Sequence, residues 1–96
     1  MKRFDVALKT PLDKNKTISQ FRRVIREEML TLKSEGTLKT IPGSVHWHIT
    51  KPEEKGTLEA TFDTNEARFW LCYHDNRYAD WIDQAVKKIK KGLEAL

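Results

Sequence analysis

Residues 44–74 read SVHWHITKPEEKGTLEATFDTNEARFWLCYH, and the fold turns on how this stretch alternates. Val45, Trp47 and Ile49 alternate with His46, His48 and Thr50. After Glu53-Glu54-Lys55-Gly56, the residues Leu58, Ala60 and Phe62 alternate with Thr57, Glu59, Thr61 and Asp63. A third run, from Ala67 to His74, follows the turn signal Thr64-Asn65-Glu66. Period-two alternation marks a strand with one buried face, and connections this short predict antiparallel hairpins.

Outward from this block the periodicity changes. Upstream, Phe4, Val6 and Leu8 alternate with Asp5, Ala7 and Lys9 until Pro11, which predicts an N-terminal strand at about residues 3–9. Thr17-Ile18-Ser19-Gln20 reads as a capping box, with Thr17 as the cap and Gln20 reaching back. Phe21, Val24, Ile25, Met29 and Leu32 then recur at helical spacing as far as the stop signal Gly36. Downstream, Asp75 or Asn76 is placed to cap a second helix, whose stripe is Trp81, Ile82, Ala85, Val86, Ile89 and Leu93. Two striped helices need an apolar sheet face to cover. The prediction is therefore one α+β domain over residues 1–96, a two-layer sandwich. It has an antiparallel sheet of three or four strands with two helices on one face, in the order β-α-β-β-β-α.

The totals bound what such a domain does. With 96 residues, 39% of them hydrophobic, the chain suffices for one core. The formal charge of +4, from 18 basic and 14 acidic residues, is too modest for a nucleic-acid-coating tail. A single cysteine rules out an internal disulfide, no apolar run approaches membrane-spanning length, and Met1-Lys2-Arg3 leads into Asp5 instead of an apolar signal core. A soluble, cytoplasmic protein without a membrane partner is expected.

Function is sought on the sheet face away from the helices. If Val45, Trp47, Ile49, Leu58, Ala60 and Phe62 point inward, then His46, His48, Thr57, Glu59 and Thr61 point outward. The last strand is ambiguous, being apolar on both sides. Placing Phe69 and Leu71 inward puts Trp70 and Cys72 beside the histidines. An exposed tryptophan on a sheet invites a partner, so the leading expectation is a small basic binding module. It would associate with another protein or with itself through Trp70, Arg68, His46, His48 and Glu59. In the nucleic-acid alternative, Trp70 stacks on bases while Lys87, Lys88, Lys90 and Lys91 of the last helix meet phosphates.

A third reading takes His46, His48, Cys72 and His74 as transition-metal ligands, with Glu59 as a further group, since imidazole and thiolate suit zinc, copper and nickel. Strands two apart lie about 10 Å from one another, which would stretch a shell drawn from the two spaced pairs alone. Beyond such a metal no cofactor is expected. Catalysis is not expected either: Cys72 with His74, or His48 with Glu59, has neither a pocket nor an oxyanion-hole element beside it.

Overall fold

In the computed structural model, which describes residues 1–96, Lys2–Val6 form strand β1 and Lys14–Glu27 form helix α1. Asp13, not Thr17, caps α1. Its Oδ1 accepts the Lys16 N–H at 3.0 Å, while the Thr17 hydroxyl, already inside the first turn, donates to the Asp13 carbonyl at 2.9 Å. Gln20 takes no part in a capping box; its side-chain amide donates to the Gly92 carbonyl at 3.3 Å.

The helix ends well short of Gly36. Met29 lies in the left-handed region at φ 56°, its N–H bonds to the Arg26 carbonyl at 3.0 Å, and the Leu30 N–H bonds to the Ile25 carbonyl at 2.9 Å. These paired bonds around a left-handed residue are a helix ending that glycine usually supplies. Methionine in that place hides the stop from the sequence. Leu32 stays in helical phase with Met29, yet Thr31–Gly36 form a strand, β2, in which Leu32 packs against the core. A bulge between Leu32 and Ser34 breaks the alternation that would have revealed it. The sheet thus has five strands instead of three or four, and the order is β-α-β-β-β-β-α.

The remaining strands are β3, Val45–Thr50; β4, Leu58–Asp63; and β5, Arg68–Tyr73. Asp75 and Asn76 cap nothing. They belong to a single 3-10 turn over Asp75–Arg77, followed by extended Tyr78, and the second helix, α2, spans Trp81–Glu94 behind Asp80. All pairings are antiparallel in the order β1-β5-β4-β3-β2. β2 to β5 form a meander, and α1 carries the chain from one edge of the sheet to the other. No helix is long and apolar enough to cross a membrane.

One core joins the helices to the sheet. Trp47, Ile49, Leu58, Ala60, Phe62, Phe69 and Leu71 line the sheet side, and Phe21, Val24, Ile25, Ile82, Val86, Ile89 and Leu93 the helix side. The Phe21 ring lies 4.5 Å from that of Trp47 and 5.4 Å from that of Phe69, centroid to centroid. Burying side chains of this size contributes about 1.5–3 kcal/mol each. The buried Trp47 indole N–H donates to Glu35 Oε1 at 2.6 Å, and Arg22 reaches the same oxygen at 2.6 Å, so the one polar atom of this ring is satisfied. Where the helices cross, α2 has no side chain. A Cβ on Gly92 would stand 2.6 Å from Val24 Cγ2, so the glycine sets how closely α1 and α2 approach.

Candidate metal centre

The register of β3, β4, β5 and β1 arranges the outer sheet face in two transverse rows. One row runs His48, Glu59, Cys72, Arg3; its neighbour runs His46, Thr61, Trp70, Asp5. Phe69, Leu71 and Tyr73 lie in the core, so Trp70 and Cys72 fall on the outer side of β5. Glu59 stands at the centre of this pattern, because β4 separates the strand of the two histidines from β5, whose end leads into His74.

Three imidazoles converge on that carboxylate. His46 Nε2 lies 3.1 Å and His48 Nε2 3.6 Å from Glu59 Oε1, and His74 Nε2 lies 3.3 Å from Glu59 Oε2. One donor atom each from His46, His48 and Glu59 falls within 4.8 Å of the others. The two deeper groups, His46 and Glu59, have side chains 15% and 16% exposed, whereas His48 and His74 form the rim at 39% and 52%. From behind, His46 Nδ1 meets the Thr61 hydroxyl at 2.7 Å, and Thr61 is only 1% exposed although no layer covers this face. The imidazole of His46 covers it from one side.

The electrostatics favour neutral imidazole at the deepest position. The His46 pKa is lowered from its ordinary 6.5, first by burial and further by the neighbouring His48, with Glu59 acting in the opposite direction. Neutral imidazole is the metal-binding form. Without a metal, the carboxylate can only accept, so His46 donates its Nε2–H to Glu59 and accepts from the Thr61 hydroxyl at Nδ1. A metal on Nε2 would reverse the tautomer, and Nδ1–H would then donate to Thr61 Oγ1.

Cys72 faces Glu59 across the β4–β5 pair, but its thiol is buried and its pKa raised, chiefly by burial and next by Glu59, against a smaller opposing effect of Arg3. Burial thus disfavours the thiolate, which is the ligand form. The other residues singled out in the sequence lie apart from this centre. Arg68 is at the far end of β5 opposite Asp63, and Lys87, Lys88, Lys90 and Lys91 are on α2 in the other layer. Trp70 lies beneath the Arg3 guanidinium, 4.3 Å from the ring centroid, and Arg3 in turn pairs with Asp5 at 3.0 Å. The roles of Thr61 and Arg3 escaped the sequence reading; parity places Thr61 on the right face, but only the register brings it under His46. No protein-family model, curated protein or solved structure matches the chain.

Proposed function

We propose that the protein is a metal-binding module that holds a divalent transition-metal ion of the zinc class on its outer sheet face. His46 Nε2, His48 Nε2 and Glu59 Oε1 are the ligands. The observation that carries the reading is the spacing of these atoms around one carboxylate oxygen. With bonds of about 2.0–2.2 Å, neighbouring donors of a tetrahedral site lie roughly 3.3–3.6 Å apart, close to the two separations from Glu59. His74, on the second oxygen, orients the carboxylate, and Thr61 orients His46; such outer partners commonly affect affinity by about 10–100-fold.

Association or base stacking through Trp70 has less to rest on, because Arg3 already lies over the indole. Calorimetric titration of the purified protein with zinc chloride tests the metal reading. One ion per chain is expected, with binding lost in the double variant His46→Ala/His48→Ala and in Glu59→Gln, and weakened in Thr61→Val. Undiminished affinity in the double variant, with its circular dichroism unchanged, would refute it.

A further inference from the structure

β1 borders a groove on the helix side of the sheet, away from the histidines. The strand pairs with β5 through an unbroken register from Lys2↔Tyr73 to Val6↔Phe69, and its other side has no partner strand. An edge strand presents unpaired N–H and C=O groups as a template for another strand. The opposite edge, β2, carries its bulge, which spoils such a template; β1 has none.

Between this free edge and α2 lies a cavity of about 630 Å³ with Phe4 and Val86 as its apolar lining and Lys87, Lys90 and Lys91 as its cations. Its two acids are already engaged. Asp83 accepts the Tyr78 hydroxyl, and Glu94 accepts the Ala7 N–H at 2.9 Å while standing 4.0 Å from Lys90 Nζ. Lys87 and Lys91 have no acidic partner within 4.0 Å. Just beyond β1 the Ala7 N–H is thus taken by a side chain of α2, while the edge groups of β1 itself have no partner strand.

We propose that this groove receives an extended acidic segment of a partner protein, added to β1 as a further strand. Side chains two apart point to one face, so its alternate carboxylates would meet Lys87 and Lys91 on the helix side, their aliphatic stems resting on Phe4 and Val86, while the residues between them point to the outer face. Residues four apart on a helix rise about 6 Å, and residues two apart on a strand advance about 6.6–6.8 Å, so alternate acids of a segment that runs along α2 would match lysines one turn apart. Strand addition supplies affinity through main-chain bonds and selectivity through alternate side chains. The proposal does not depend on the metal reading, whose residues lie on the other face.

Fluorescence anisotropy of a labelled peptide alternating glutamate with valine tests it on the intact protein. Micromolar binding is expected, absent for the counterpart with lysine for glutamate and lost when alternate peptide amides on the edge-facing side are N-methylated. The exposed charge reversal Lys87→Glu/Lys91→Glu should weaken it roughly tenfold or more. No binding at low salt, or equal binding of the N-methylated peptide, or indifference to the charge reversal, would overturn the proposal. So would displacement by mixed-sequence duplex RNA that binds more tightly than the peptide, which would assign the lysines to phosphate.

Discussion

The two faces of the sheet are built from alternate residues of the same strands, yet they are buried by different means. The inner face is covered by α1 and α2, and its side chains are almost all apolar. The outer face has no second layer, but Thr61 and Cys72 are buried there too, Thr61 against the His46 imidazole, on a face that also carries the Trp70 indole beneath the Arg3 guanidinium. Hydrophobic contact explains the first. The second keeps histidines around a carboxylate on a surface where a solvated lysine or threonine would serve the fold as well. The difference separates residues buried by apolar packing from polar residues buried against one another, and the proposed metal site draws on the second set.

The sharpest way to break the comparison is to remove the centre of the inner face. Trp47→Ala should cost about 3–5 kcal/mol in urea-melting free energy, since it empties the space beside Phe21. His46→Ala, a substitution next to it in sequence but on the other face, should cost far less. A loss of the same size would make the outer face structural too.

Zinc sharpens the contrast from the other side. At a free concentration one hundred times its Kd, a native-state ligand adds about 2.7 kcal/mol to stability, which should appear as a higher Tm in the wild type and be absent from His46→Ala/His48→Ala. The effect should fade on acidification. Because the folded-state pKa of His46 is depressed, its contribution to stability is complete above pH 6.5 and declines as the pH falls through 6.5 towards the lowered folded value. Protonation also removes the metal-binding form. Melts at pH 7.5 and pH 5 with and without zinc check both signs.

Gly92→Ala tests the helix layer alone. Alanine gains about 1 kcal/mol of helix propensity, but its methyl would meet Val24 at the crossing, and overpacking costs about 1–3 kcal/mol. Net destabilisation of roughly 1 kcal/mol is expected, with zinc affinity unchanged. The smallest effect should come from Met29→Gly. It relieves a left-handed methionine that is 79% exposed and should stabilise the fold by up to about 1 kcal/mol in the same melts.

The legible parts of the fold are those where periodicity speaks without competition. β3, β4 and β5 and the apolar stripe of α2 stand close to where alternation and helical spacing put them. β2 was illegible because Leu32 satisfies a helical pattern as well as a strand, and because the chain's turn at Met29 uses no glycine. The starts of both helices differ from the expected ones: Asp13 caps α1 four residues ahead of Thr17, and Asp75 and Asn76 form a 3-10 turn while α2 begins behind Asp80, which makes no side-chain cap bond that the sequence could advertise. At the candidate metal centre, parity aligns His46 with His48 and Cys72 with His74. The central position of Glu59 depends on the pairing His48↔Glu59, which the length of the β3–β4 connection sets. The cover over Trp70 required knowing that β1 lies beside β5, and strand order leaves no trace in alternation.

That placement of β1 also bears on the order in which the domain assembles. The pairings among β2, β3, β4 and β5 join near neighbours in sequence, whereas β1 must find β5 from the far end of the chain, at Lys2↔Tyr73 and Val6↔Phe69. Closing so long a loop brings its entropic cost before its reward, so β1 should dock after the meander and α2 have formed. Substitutions such as Val6→Ala are expected to speed unfolding while leaving the folding rate nearly unchanged, a φ-value near zero in stopped-flow kinetics. A value near one would place β1 in the nucleus. The last strand to close would then be the first to open, and the amides of β1 should exchange with solvent ahead of the rest of the sheet.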